Sequence, residues 1–309
     1  MRNIKFYSLL LVVIAFLSCK AKHTDTKKLS YPYNVFVSIV PQKYFVEKIG
    51  GDKVKVFTMV KPGFSPATYE PLPKQMVMLS KSRAFFRIRV PFEKAWIKKI
   101  RSSYPNLVIV DTTTGVKRRT LDTFKHLVDE HHKEHKEHKE HKHDSGAKDP
   151  HIWLSPELVK IQAKNIAAAL IKIDPKNSDY YKKRLKDFTS ELDNLQAKMT
   201  KVLSKVKSKK LLVFHPAYGY LADEFGFKQI PIEIEGKKPG AKQLVAIIKY
   251  AKQHNIKTIF IQKQFSTREA EVVAKEIKGN VIKVNPLAYN YMENLFSIAK
   301  KIAKNMETK

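Results

Sequence analysis

The sequence predicts an α/β protein in which two α/β lobes with mostly parallel sheets are joined by one long rigid helix. Short apolar runs alternate with segments of helical periodicity in the first half of the chain, and the alternation returns in the second half. Strands that alternate with helices pair in parallel and carry the helices on their faces. Between the two halves, apolar residues keep the period of a helix without a break for about six turns.

The composition indicates a globular chain with a basic surface. Its 309 residues are 43% hydrophobic with 17 Phe and 13 Tyr, enough for two cores or one large one. The formal net charge is +30, but the lysines are spread over every segment and form no arginine-rich arm or aromatic-interleaved stripe. We therefore expect no nucleic-acid partner, and we interpret the charge as a lysine-rich surface that an anionic membrane face would attract.

The N-terminus has the pattern of a signal peptide over 1–18. Arg2 and Lys5 give a positive start and are followed by an almost unbroken apolar run over 9–17. A comfortable transmembrane helix needs about 20 apolar residues, so this run is too short for one.

The only cysteine, Cys19, follows Ser18 directly and points to a lipoprotein signal in which Cys19 becomes the lipidated first residue. The match is imperfect, because Phe16 and Leu17 occupy positions where that signal prefers Leu and a small residue. The alternative is a plain secreted protein with an incidental cysteine. Residues 19–30 are polar and are expected to tether the folded body to the membrane.

We assign residues 31–150 to the first α/β lobe. Apolar, β-branched runs predict its strands, and apolar residues at helical spacing predict the helices between them. Pro41 is expected to end the first strand. The predicted strands are 35–40, 54–60, 84–90 and 107–110, the predicted helices contain 44–49 and 92–100, and a loop rich in proline covers 61–73.

A histidine-rich loop is predicted at 126–148. Its run 131–143 repeats histidine, lysine and glutamate and has no apolar residue to bury, so we expect it to be exposed. Neutral imidazole binds zinc, copper and nickel, and the loose spacing favours weak capture at several sites over one defined site. The alternative is a solvated charged linker or a natural analogue of an expression tag. The candidate ligands are His131, His132, His135, His138, His141 and His143.

Residues 151–207 are assigned to a helical segment that includes an interlobe helix at about 176–206. Charged residues occupy the face opposite the apolar stripe, and the helix would be roughly 30 Å long. We expect it to lie along both lobes as a rigid spar, which argues against a flexible two-strand hinge. The stripe consists of Tyr181, Leu185, Phe188, Leu192, Leu195, Met199 and Val202.

Residues 208–309 are assigned to the second α/β lobe. The run 266–269, Ser-Thr-Arg-Glu, has the spacing of a capping box and is expected to open a helix that Gly279 closes. The predicted strands are 211–214, 258–261 and 281–284, a further helix contains 244–251, and an amphipathic helix covers 287–306.

Ligands of doubly wound sheets bind outside the carboxyl ends of the strands, where loops converge. Four loops end that way here, and two of them carry a histidine, His151 and His215. Alone, His151 would more often cap the following helix, and His215 would more often be a hydrogen-bonded core imidazole. The four loops cover 61–71, 149–156, 215–220 and 285–287.

These loops resemble those of the zinc- and manganese-type substrate-binding proteins of ABC transporters, and the resemblance covers nearly all of the mature chain. It is carried by the histidine-rich loop and by five motifs. They are Pro-Gly-Phe-Ser-Pro-Ala-Thr-Tyr-Glu-Pro (62–71), Asp-Pro-His-Ile-Trp-Leu-Ser-Pro (149–156), Phe-His-Pro-Ala-Tyr-Gly-Tyr (214–220), Ile-Glu-Gly-Lys-Lys-Pro-Gly (234–240) and Asn-Pro-Leu (285–287).

The resemblance implies a non-catalytic receptor in the periplasm or on the outer face of the cytoplasmic membrane. It would capture Zn²⁺ at the lobe interface, as a monomer, and deliver it to a membrane permease. The family's second and third histidine ligands match His151 and His215. A manganese or iron receptor of the same fold and a stand-alone zinc buffer or chaperone are the alternatives. A zinc hydrolase is disfavoured, because the chain has no His-Glu-x-x-His, no Gly-x-Ser-x-Gly and no phosphate-cradling glycine loop.

Two positions depart from the family's pattern. Ala67 stands where the family usually has a histidine, and Asn285, a weaker neutral oxygen donor, stands where it usually has an aspartate. Two histidines leave a tetrahedral zinc site half built. Water, a histidine of the histidine-rich loop or oxygen ligands would complete it, and we favour oxygen donors with water because closing a long loop costs entropy. The candidate oxygen ligands are Glu70 and Asn285, with Glu233, Glu235 and Gln264 as further candidates.

Overall fold

The computed structural model describes residues 30–124, 146–233 and 238–306. The predicted signal peptide, Cys19 and the histidine-rich run 131–143 lie outside the described residues. Within them, the predicted fold class is confirmed: two parallel α/β lobes and one long connecting helix are present.

The first lobe is a parallel sheet of four strands in the order β2-β1-β3-β4. Its strands are short, and β1 and β3 are almost wholly buried, as expected for apolar strands covered on both faces. The elements are β1 (Tyr33–Val37), α1 (Val40–Gly50), β2 (Val54–Thr58), α2 (Pro73–Ser80), β3 (Ala84–Arg87), α3 (Pro91–Ser103) and β4 (Val108–Asp111).

Prolines begin three helices of this lobe. Pro41 does not directly end a strand as predicted: β1 stops at Val37, and Pro41 lies in the first turn of α1. Pro73 and Pro91 are the first residues of α2 and α3. The first turn of a helix has no intrahelical partner for its N–H groups, so proline loses nothing there. The helix α2 and the early end of β3 at Arg87 were not predicted.

Two long helices follow the first lobe. In α4 (Pro156–Ile173), Ser155 caps the N-terminus and accepts a hydrogen bond of 3.2 Å from the backbone N of Leu158. The connecting helix α5 (Ser178–Leu203) packs against α1, α4 and the last helix of the chain. Its buried face consists of Tyr181, Phe188, Leu192, Leu195, Met199 and Leu203.

The second lobe repeats the topology of the first, with strand order β6-β5-β7-β8. The predicted capping box is wrong: the Oγ of Ser266 accepts from the backbone N of Arg268, and Glu269 pairs instead with Lys238 at 2.7 Å. The helix α6 and the strand β6 were not predicted. The elements are β5 (Lys210–Val213), α6 (Gly219–Phe225), β6 (Lys228–Pro231), α7 (Ala241–Gln253), β7 (Thr258–Gln262), α8 (Arg268–Glu276), β8 (Asn280–Val284) and α9 (Tyr291–Met306).

The C-terminal end of the second lobe returns to the first. The ring of Tyr291, at the start of α9, meets that of Phe45 in α1 edge to face at 4.8 Å. The indole N–H of Trp153 donates to the carbonyl of Pro286 at 2.9 Å. These contacts and α5 tie the lobes together. Among the described helices, none combines the length and apolar character needed to cross a membrane.

Candidate metal site

Two histidines from different loops face each other at the interface of the lobes. His215 follows β5, and His151 lies just before α4. Their Nε2 atoms are 3.3 Å apart, and the rings stand almost perpendicular, at 81°. The structure thus brings together the two histidines that the sequence singles out.

A buried carboxylate holds the other nitrogen of each ring. The Nδ1 of His151 lies 2.7 Å from Oδ1 of Asp149, and the Nδ1 of His215 lies 3.1 Å from both carboxylate oxygens of Glu233. Asp149 and Glu233 are 0% and 2% exposed. Because an ionised carboxylate only accepts hydrogen bonds, each Nδ1 must carry the proton and each Nε2 keeps its lone pair.

The two lone pairs therefore point toward one small space, which suits a metal ion. Zn–N bonds of about 2.0–2.1 Å at a tetrahedral angle place two nitrogen ligands roughly 3.3 Å apart, which is the spacing seen here. Without a cation, two acceptors face each other and neither is satisfied. The pair fits zinc in both distance and donor type.

Burial also favours the metal-binding form of His151. It lowers the pKa of His151 below its usual value, an effect that the nearby Asp149 carboxylate partly opposes. Neutral imidazole is the form that binds metal, so His151 is ready to do so at neutral pH.

Asp149 is itself held by a cluster of charged residues that the sequence did not reveal. The Oδ1 of Asp149 also accepts from the backbone N of His151 at 2.9 Å, and its Oδ2 lies 3.5 Å from Nη1 of Arg119. The guanidinium of Arg119 also donates two hydrogen bonds, of 2.8 and 3.0 Å, to the carboxylate of Asp122. A side chain at Gly219 would overlap this guanidinium, so Arg119 would have to move to accommodate it. In the sequence, the only sign of this support was a carboxylate two residues before His151, in the motif that carries the histidine.

Aromatic rings shield the two imidazoles. Phe265 stacks on His215 with 5.1 Å between ring centres and 24° between planes, and Trp153 lies 5.1 Å from His151. These rings limit the access of water and fix both imidazoles in place.

The histidines line a cavity of about 890 Å³, and the outcome for the other predicted ligands is mixed. Ala67 lines this cavity, so the position of the missing histidine does face the site. Glu70 is exposed and is not among the lining residues. The Oδ1 of Asn285 accepts from the backbone N of Leu287 at 3.1 Å, and Asn285 lines a smaller neighbouring cavity of about 40 Å³.

Three further oxygen candidates have different outcomes. Glu233 binds Nδ1 of His215 and so supports a ligand instead of acting as one. Gln264 lines both cavities, and its Oε1 is buried with no hydrogen-bond partner among the residues described. Glu235 lies outside the described residues. Over the described ranges, no three His, Cys, Asp or Glu side chains are grouped to hold a metal.

The two ends that flank 125–145 meet at the wall of the same cavity. The N of Leu121 donates to the carbonyl of Ala147 at 2.8 Å, and Thr120 pairs with Lys148 in an antiparallel bridge. Leu121, Ala147 and Lys148 all line the cavity. The described residues on either side of 125–145 thus lie at the cavity that His151 and His215 line.

Comparisons with known proteins identify the family of the chain. The family model described as ZnuA, zinc-uptake complex component A, periplasmic, matches residues 35–308. The chain is similar to the high-affinity zinc uptake system protein ZnuA of Bacillus subtilis (strain 168), with 32% identity over 258 residues, 82% of this chain and 78% of that protein. A crystal structure of ZnuA is 37% identical with a TM-score of 0.78, covering 89% of this chain and 99% of the other. A zinc-bound deletion mutant of ZnuA, also 37% identical, gives a TM-score of 0.79 and covers 90% and 99%.

Proposed function

Because this chain belongs to the family of zinc-uptake complex component A, periplasmic, we propose that it is an extracytoplasmic receptor that binds Zn²⁺ at His151 and His215. It delivers the ion to the membrane permease of an ABC transporter. The family is one of metal uptake, so no catalytic role is assigned to the site.

The facing Nε2 atoms carry this proposal. They are 3.3 Å apart, and each belongs to a ring whose Nδ1 is fixed on a buried carboxylate. A pair of preoriented imidazole nitrogens favours zinc over manganese or iron(II), whose sites are richer in carboxylate. The two nearest carboxylates, Asp149 and Glu233, are occupied by Nδ1.

We further propose that the histidine-rich run 131–143 captures zinc weakly before the ion reaches the interface. Support comes from the attachment of this segment at the cavity wall, where Leu121 and Ala147 pair. The site at His151 and His215 then receives ions from a local store.

We propose that Cys19 anchors the mature chain to the membrane through lipid. The apolar run 9–17 and the Ser18-Cys19 junction support this assignment. An anchored receptor stays close to its permease, and a lysine-rich surface is attracted to anionic headgroups.

Calorimetric titration with Zn²⁺ tests the receptor site. We expect His151→Ala and His215→Ala each to abolish high-affinity binding, and deletion of 131–143 to remove only the weaker sites. His254→Ala, whose ring packs on Tyr250 at the end of α7, serves as the matched control and should bind as wild type does. Loss of all binding in the deletion, with normal binding by both site variants, would show a loop chelator without an interface site.

A further inference from the structure

Helices α2 and α3 cover the face of the first sheet that points away from the connecting helix. From β1 to β2 the chain steps toward one edge of the sheet, and from β2 to β3 and from β3 to β4 it steps toward the other. Crossovers between parallel strands are right-handed, so α2 and α3 lie on the face opposite α1. Because α1 packs against α4 and α5, the surface that α2 and α3 form is an outer face of the protein.

The exposed charges of this outer face are all positive. The helix α2 contains no Asp or Glu, and the single carboxylate of α3, Glu93, is buried and bonded to Arg87 at 2.9 Å. Within residues 30–124, 146–233 and 238–306, no carboxylate forms an ion pair with the exposed cations of the face. These cations are Lys74, Lys81, Lys94, Lys98, Lys99 and Arg101.

Apolar side chains are exposed among these cations. Two lysines and two apolar residues of α2 follow the spacing i, i+3, i+4 and i+7, which places them on one side of the helix; they are Lys74, Val77, Met78 and Lys81. Val77 is 56% exposed and Met78 37%. On α3, Trp96 is half-buried, and Nζ of Lys99 lies 4.8 Å from the centre of its ring. Lysines together with exposed apolar and tryptophan side chains suit the interface of an anionic membrane.

The corresponding surface of the second lobe has mixed charge. The second sheet repeats the strand order of the first, so α7 and α8 take the places of α2 and α3. There α8 exposes Glu271 and Glu276, and a carboxylate oxygen of Glu276 lies 3.6 Å from Nζ of Lys252 in α7. Of these two matching surfaces, that of the first lobe is therefore the better partner for a layer of negative charge.

The chain enters the folded body beside the end of this face. The strand β1 begins at Tyr33, and the backbone N of Arg83, two residues after Lys81, donates to the carbonyl of Asn34 at 2.8 Å. If Cys19 carries lipid, residues 20–30 span at most about 40 Å, at roughly 3.3–3.6 Å per residue. A tether of that length keeps the first lobe at a high effective concentration near the membrane, so even weak binding sites on its surface are occupied.

We infer that the outer face of the first lobe, formed by α2 and α3, binds the anionic surface of the membrane to which the chain is anchored. The lysines contact lipid phosphates, and Val77 and Met78 enter the interfacial layer. This contact orients the receptor on the membrane. The inference rests on the proposed anchoring through Cys19, and it does not involve the zinc site.

Vesicle sedimentation tests the inference on the mature chain from Lys20, which lacks Cys19 and therefore carries no lipid. The vesicles contain phosphatidylcholine and phosphatidylglycerol in a two-to-one ratio, or phosphatidylcholine alone. At physiological ionic strength we expect the chain to bind the anionic vesicles and to bind the neutral ones at least about tenfold more weakly, because the phosphatidylglycerol headgroups supply the negative charge.

Two triple variants with the same change of net charge separate this face from the basic chain as a whole. Each lysine near an anionic surface contributes roughly fivefold to binding, so three replacements on the outer face should weaken it about a hundredfold. The control replaces three exposed lysines of α7 and α8 and should lose less than about fivefold, because charges beyond about 8 Å from the membrane are screened. The first variant combines Lys74→Glu, Lys94→Glu and Lys98→Glu, and the control combines Lys242→Glu, Lys249→Glu and Lys275→Glu.

Glutamine at the same three positions of the outer face gives a milder variant, for which we expect an intermediate loss. All of the replaced lysines are exposed, so each variant should keep the thermal unfolding midpoint of wild type.

Tryptophan fluorescence reports directly on the face in contact. The chain has two tryptophans, and Trp153 is 1% exposed, whereas Trp96 lies on α3. Vesicles with brominated lipid chains should quench the emission of Trp96, and Trp96→Phe should remove most of this quenching.

Three outcomes overturn the inference. They are the absence of binding to anionic vesicles, equal losses in the two glutamate variants, which would show attraction of the basic chain as a whole, and binding without quenching of Trp96, which would place another face on the membrane. Calorimetric zinc titration of the same variants keeps the receptor function separate, since we expect all of them to bind zinc as wild type does. Mass spectrometry of the mature N-terminus tests the lipid at Cys19 independently.

Discussion

Replacing Glu233 by Gln should weaken zinc binding without weakening the fold. Both oxygens of Glu233 lie 3.1 Å from Nδ1 of His215, and the residue is 2% exposed. The amide of Gln would make a neutral hydrogen bond to His215, about half as strong as the charge-assisted bond of the carboxylate. It can also turn its NH₂ group toward Nδ1, which would move the ring proton to Nε2 and block the metal. Loss of such a partner typically costs about 10- to 100-fold in metal affinity, or roughly 1.4–2.8 kcal/mol.

Calorimetric titration measures the affinity for zinc, and urea unfolding of the metal-free protein measures the free energy of unfolding. The free energy of unfolding should change by less than about 1 kcal/mol, because removing a buried charge offsets the weaker bond. Glu224→Gln is the matched control: this half-buried carboxylate accepts from Gln196 at 2.8 Å and from the hydroxyl of Ser155, and the hydrogen bonds of the described residues join it to neither histidine. Zinc affinity equal to wild type in Glu233→Gln, or equal losses in the two variants, would refute the assigned role of Glu233.

Three further predictions concern the ligand gap, the N-terminus and acid stability. Ala67→His should tighten zinc binding in calorimetry, since Ala67 lines the cavity, and unchanged affinity would show that the position lies too far from the ion. Cys19→Ala should release the protein from the membrane fraction, and mass spectrometry that finds an unmodified first residue other than Cys19 in wild type would disprove lipidation. Because burial lowers the pKa of folded His151 below the unfolded value of about 6.5, the unfolded state binds more protons below that pH. The metal-free protein should therefore lose stability between pH 7.5 and 5.5 in urea unfolding, and an equal loss in His151→Ala would contradict this cause.

The features that the sequence predicted well depend on regular spacing. The stripe that begins at Tyr181 repeats for many turns, and five of its seven residues lie on the buried face of α5, whereas Leu185 and Val202 are half-buried. The alternation of strands and helices indicated both parallel sheets. His151 and His215, 64 residues apart, were paired because both lie in loops expected to converge and in motifs that resemble those of the receptor family.

The features that it missed depend on tertiary contacts or on ambiguous local signals. A proline ends one element as readily as it begins the next, so Pro73 gave no sign of α2. The oxygen of Asn285 is used by its own turn, a local bond that competes with metal binding. The role of Asp149 depends on Arg119, 30 residues away, and no short motif reports that distance.

Because Leu121 pairs with Ala147, we expect the segment between them to tolerate changes of length and sequence. A hydrogen bond between Leu121 and Ala147 joins the two ends of this segment. Each doubling of a loop's length adds only about 0.6 kcal/mol to the free energy of closing it. Evolution can therefore lengthen, shorten or recompose this segment while the histidine pair stays in place. The same junction is a suitable place to insert a reporter domain in an engineered variant, because the paired residues Leu121 and Ala147 line the cavity of the two histidines.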